Sequence, residues 1–216
     1  MKRILTAVTA LSLTALAGCA GFDAARPTDL YLLTPKSTFS SNLPSLNAQI
    51  VVEEPTASAA VNTDRIAVQP TPLQVQYIPG ARWVDRAPSI VQTLLIESFE
   101  NTKKVTAVGR SAVGIRPDYN IVPELREFQA MVTNPENPES PLQVDVRLNI
   151  KLVDAYEDHI IGSASFEAYA LSPSAKAPDL VKTFDDALGK TMRDAVEWSI
   201  RRISEHARRT QQAYSQ

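Results

Sequence analysis

The chain has 216 residues, with 22 Lys and Arg against 24 Asp and Glu, a formal charge of −2. That balance excludes a nucleic-acid footprint, which needs a basic excess. One cysteine and two histidines exclude a disulfide framework and a zinc site of the usual Cys/His kind.

Residues 1–18 start with Lys2 and Arg3, continue as a short apolar run and end in small residues. This is the order of a signal peptide. A transmembrane helix needs about 20 apolar residues, whereas this run is shorter and broken by Thr6, Thr9, Ser12 and Thr14. Leu16-Ala17-Gly18-Cys19 resembles a bacterial lipobox. On that reading residues 1–18 are removed, and Cys19 becomes the first residue and carries lipid. The other reading is ordinary secretory cleavage with Cys19 incidental. The lone cysteine stands where acylation requires it, which favours the lipobox. A single acyl chain holds a protein to a membrane only marginally, but the several chains of a lipoprotein cysteine hold it firmly. Ala20 follows where an aspartate would signal retention at the inner membrane, so the expected location is the outer membrane, facing the periplasm. The mature chain keeps 20 basic and 24 acidic side chains, a charge of −4.

Residues 19–28 read as a lipidated tether and 29–216 as one domain with a sizeable core. In chain order, 29–34 (DLYLLT) reads as a strand, 35–47 as a Ser/Pro/Asn-rich loop and 48–53 (AQIVVE) as a strand. Two short strands follow at 65–69 and 73–78, then a turn at Pro79-Gly80. A helix starts at Pro88, a residue suited to a first helical position. Its Ile90, Val91, Leu94, Leu95 and Phe99 share one face. A strand is expected at 104–108, feeding a turn at Gly109 and Gly114. Residues 119–132 read as extended, with Pro123 implying an edge position or a bulge. In 143–152, Val144, Val146, Leu148, Ile150 and Leu152 alternate with polar residues, the pattern of a half-buried antiparallel strand. With 159–171 it completes a β-meander. Residues 179–210 read as one long helix, with acids early and Arg201, Arg202, Arg208 and Arg209 late, as suits the helix dipole. The fold class is therefore α/β: a single compact domain with a mixed, partly antiparallel sheet flanked by helices.

Catalytic patterns are scarce. Gly109-Arg110-Ser111-Ala112-Val113-Gly114 places its second glycine one residue late for a nucleophile elbow, so a plain turn is the better reading. His159 and His206 are far apart in sequence, and each reads as a surface residue. Residues 77–85 (YIPGARWVD) set Tyr77, Arg82 and Trp83 around the Pro-Gly pair. Two readings stay open there. Trp83 caps the core with Arg82 paired locally, or the three residues form a partner interface, since Trp, Tyr and Arg are common interface anchors.

Several segments together resemble the ABC-type transport auxiliary lipoproteins, the group of paraquat-inducible protein C. They are Asp29-Leu30-Tyr31-Leu32-Leu33 soon after the cysteine, then Arg65-Ile66, Tyr77, Arg82-Trp83-Val84-Asp85 and Pro88 before a helix, then 119–128, the alternating strand and the long last helix. The resemblance implies an outer-membrane-anchored accessory subunit, not an enzyme, in lipid transport between membranes. Its partners would be an MCE-domain protein and ABC transporter components. A ring-like homo-oligomer is compatible with it, and the only attached group would be the lipid on Cys19. Two alternatives remain: a lipoprotein that binds a lipid or small molecule alone, which needs an apolar cavity, and a periplasmic hydrolase using Ser111, which needs a base within reach.

Overall fold

The structure is a computed structural model that describes residues 27–111, 116–134, 136–137 and 140–215. The predicted signal peptide, Cys19, most of the tether and Gly114 lie outside them.

The strands are β1 (Asp29–Tyr31), β2 (Leu46–Val52), β3 (Thr56–Ala57), β4 (Arg65–Thr71), β5 (Gln74–Trp83), β6 (Val105–Gly109), β7 (Tyr119–Val132), β8 (Leu142–Asp154) and β9 (His159–Leu171). The helices are α1 (Ala87–Thr102) and α2 (Ala177–Tyr214). All nine strands join one mixed sheet. On one side of β7 the antiparallel ladder runs through β8 to β9. Its other side is shared along its length by β2, then β3, then β4, all parallel to it. The sheet continues from β2 to β6, and from β4 through antiparallel β5 to parallel β1.

The alternation in β8 is decisive for the layering. Val144, Val146, Leu148, Ile150 and Leu152 are buried against the helices, while Gln143, Asp145 and Arg147 sit half-buried on the other face. In α2, Leu180, Phe184, Leu188, Met192, Val196, Ile200 and Ile203 are fully buried. The two helices meet side by side where the Ser98 hydroxyl lies 3.8 Å from the Met192 sulfur. Small residues of β9 let α2 approach closely. A Cβ added at Gly162 would meet Arg202 side-chain atoms at 3.2 Å and Trp198 at 3.3 Å.

Three local expectations change. Pro79-Gly80 is not a turn but part of a bulge inside β5. Arg65 pairs with Arg82, and Ala67 with Tyr77, so four residues of β5 face one of β4. Gly80 has φ 70°, the left-handed region that glycine enters without a Cβ penalty. Pro123 is not on an edge strand, because β7 is central. It stands opposite Ile150 of β8, and on its other flank falls between the pairing to β2, ending at Ile121, and to β3, starting at Glu124. Its missing N–H therefore costs no ladder bond on that flank; the bulge comes just after, between Leu125 and Glu127. Finally, α2 runs on to Tyr214, so Arg201, Arg202, Arg208 and Arg209 precede its last turn. The dipole acts within about one turn of the end. Two of them are instead engaged by distant segments: Arg201 donates to Asn42 Oδ1 at 2.6 Å, and Arg202 to the Ile161 carbonyl at 2.8 Å.

Candidate functional site

The 77–85 segment is resolved in favour of the core for its tryptophan. Trp83 is 1% exposed. It packs edge-on against Phe184 of α2, centroids 5.3 Å apart, and against Phe128 of β7 at 5.7 Å. The exposed tryptophan that an interface loop requires is absent here. The reason is strand parity: Ala81 and Trp83 point into the core, and Arg82 points out. Arg82 pairs with Asp64 at 2.9 Å. Tyr77 is half-buried, donates to the Ala60 carbonyl at 3.3 Å and lies under the Arg65 guanidinium, 3.7 Å from the ring centroid. Tyr77, Arg82 and Trp83 thus do not form one exposed patch.

The following helix start is built on Asp85. Its Oδ1 accepts from the Arg86 N–H and its Oδ2 from the Ser89 hydroxyl, both at 2.7 Å. The Ser89 bond, then the Arg86 N–H, hold the carboxyl below its ordinary value. An acid at this place also meets the positive end of the helix dipole.

The two histidines come together, which sequence separation hides. β9 begins at the sheet end where α2 finishes, so the His159 and His206 rings lie 5.7 Å apart. His206 Nδ1 is 3.3 Å from the Tyr119 hydroxyl and 3.7 Å from Asp154 Oδ2. Burial, then Asp154 and Asp118, raises the Tyr119 hydroxyl above its ordinary pKa. A cleft of about 580 Å3 opens beside them, lined by Gln49, Arg116, Asp118, Asn120, Asp154 and Tyr156 among others. Tyrosine and aspartate approach the same ring nitrogen, so the group does not have the nucleophile–base–orienter order of a triad. Ser111 is exposed, and neither histidine is its hydrogen-bond partner. Among the described residues no group of three His, Cys, Asp or Glu is placed to hold a metal ion.

The face of the sheet away from the helices carries a second cluster. Arg147 pairs with Glu127, which also accepts from the Gln129 amide. Asp145 Oδ1 and Arg147 Nε are buried atoms without a hydrogen-bond partner among the described residues. Burial, then Glu167 and Glu127, raises the Asp145 carboxyl, against the opposing pull of Arg147. A raised folded-state pKa favours the neutral acid, so this group's stabilisation is present at low pH and lost as pH rises through that value. Asp145→Asn is neutral at every pH. It is expected to melt at a higher temperature than the parent at pH 7, with the gain shrinking as pH falls below the carboxylate range. Thermal melts across pH check this, and a lower melting temperature for the variant at pH 7 would refute it.

Apolar groups also reach the surface. A groove of about 300 Å3, lined by Leu32, Leu33, Val84, Ile90 and Leu94 among others, separates the segment after β1 from α1. At one end of the sheet, Leu73 in the β4–β5 connection is 100% exposed. Among the described residues no helix is long and apolar enough to cross a membrane.

The fold and these surfaces define a two-layer α/β domain whose polar clusters are engaged mainly with one another. The model of the ABC-type transport auxiliary lipoprotein component matches residues 31–212, and the chain belongs to that family. A crystal structure of a DUF330-family protein from Xanthomonas campestris superposes with a TM-score of 0.77 at 25% identity, covering 84% of this chain and 99% of that one. A second crystal structure, of an uncharacterized protein, shares the fold with a TM-score of 0.60 at 10% identity, over 79% of this chain and 97% of that one. An uncharacterized protein from Bradyrhizobium diazoefficiens is 27% identical over 159 residues, 72% of this chain. The chain spans about two fifths of that relative's length, 40% by the aligned part. The family is one of lipoproteins that serve ABC-type transport.

Proposed function

We propose that the chain is the non-catalytic accessory lipoprotein of an MCE/ABC-type system that moves lipid between the two membranes. Cys19 holds it to the outer membrane, and the domain faces the periplasm. The observation that carries this reading is the family match over residues 31–212. The interior supports an adaptor over a lipid carrier. The space between sheet and helices is filled by Trp83, Phe99, Phe128 and Phe184, each 2% exposed or less. A carrier needs an apolar cavity of several hundred Å3, and the grooves described above open to solvent. The function then lies on the surface, in docking an MCE-domain protein and the ABC transporter, and the covalent lipid is the only group attached.

The test is co-purification. The lipidated protein, solubilised from membranes in mild detergent after crosslinking, is expected to bring down an MCE-domain protein and ABC components. Recovery of the intact lipoprotein without either would overturn the reading.

A further inference from the structure

The β4–β5 hairpin is free of charge along most of its length. β4 leaves β7 after the Val68↔Ala130 and Gln69↔Met131 pairs, and the β4–β5 hairpin continues alone. Residues 66–81 contain no charged side chain. At the apex, between Pro72 and Gln74, Leu73 is fully exposed, and Val75 is 41% exposed. Leu171 lies at the same end, since Gln69, Met131, Gln143 and Leu171 stand in register across four strands; it is 61% exposed. The opposite end is charged: Arg116 and Asp118 face the cleft, and Glu157 and Asp158 lie in the β8–β9 turn.

Residues 27–28 precede β1 on the side of the hairpin tip. β1 runs parallel to β5, with Asp29 opposite Ala81, so the chain before Asp29 points to the hairpin tip. From Ala81 to Gln74 the bulged strand spans at most about 23 Å, at roughly 3.3 Å per residue. The ten residues from Cys19 to Asp29 reach about 33–36 Å when extended. That length is enough for a lipid on Cys19 to reach the plane of the tip.

We propose that the β4–β5 hairpin inserts Leu73 into the headgroup region of a zwitterionic phospholipid bilayer, beside the lipid anchor. This rests on Cys19 being lipidated. A charge-free hairpin meets no desolvation penalty of the kind that buries a charge in lipid. Beside the hairpin, the same end carries charges of both signs, Glu136 after β7 and Lys176 before α2, with no basic excess to favour an anionic surface. Insertion would add a second, weak contact to the covalent one and set the domain upright, with the β8–β9 turn directed to the periplasm.

The lipid consumes the only native thiol, so Leu73→Cys supplies a unique labelling site, and Tyr156→Cys, at a position 81% exposed, supplies one at the far end. Each lipidated variant is labelled with an environment-sensitive fluorophore. It is then reconstituted into phosphatidylethanolamine–phosphatidylcholine vesicles, with and without bilayer-embedded quenchers. The label at 73 is expected to shift to the blue on reconstitution and to lose emission to the quenchers. The label at 156 is expected to do neither. Vesicle flotation with both labels behaving alike in water overturns the insertion and leaves the anchor standing. Failure to float overturns the anchor and the insertion together. A blue shift at 73 that appears without vesicles and grows with protein concentration overturns the proposal in favour of a second copy of the chain.

Discussion

Trp83→Ala is expected to destabilise the domain by about 3–5 kcal/mol, the usual cost of truncating a core aromatic. Trp83 joins three elements across the two layers: β5 carries it, Phe128 of β7 packs beside it, and Phe184 of α2 meets it edge-on. Phe128 and Phe184 also contact each other at 5.0 Å, so removing the indole opens a void at the centre of an aromatic triangle. Folded domains are stable by only about 5–15 kcal/mol, and the variant should lose a large share of that. Chemical denaturation of the variant and of Trp83→Phe measures it, and the phenylalanine should recover part of the loss. A change under about 1 kcal/mol would mean that this site relaxes to fill the void, outside the range found for core truncations. Partner binding by the fraction that remains folded is expected to survive, because Trp83 is not on the surface.

Cys19→Ala is expected to abolish lipid attachment. Labelling with radioactive palmitate should disappear, and the protein should leave the membrane fraction as an unprocessed or freely soluble form. The motif Leu16-Ala17-Gly18-Cys19, with no other cysteine in the chain, makes Cys19 the acceptor. Because several acyl chains act together, their loss converts near-permanent attachment to at most the weak contact of an exposed loop. Palmitate incorporation into the variant equal to the parent's would end the lipoprotein reading of this cysteine.

Elements with a local pattern were legible along the chain. The period of two in β8 revealed its buried face, because side chains alternate across a strand whatever it pairs with. The 3.6-residue spacing marked the stripes of α1 and α2, and Pro88 marked a helix start that lies one residue earlier in the structure, at Ala87. The two-residue β3 was not legible, since nothing in Thr56 and Ala57 alone marks a strand; pairing with Glu124 and Leu125 makes it one. Long-range pairing set the rest. Pro79-Gly80 carries the sequence signal of a turn, yet neighbouring strands on both sides of β5 hold it as a bulge. Pro123 became tolerable in a central strand only because the chain passes from β2 to β3 beside it. The burial of Trp83 follows from where β5 sits under α2. His159 and His206 meet because a strand starts where a distant helix ends. The direction in which the chain enters β1, from the side of the hairpin tip, is set by a pairing of three residues that no periodicity in the sequence encodes. Periodic burial is written along the chain; which ends and faces come together depends on pairings between segments far apart in it.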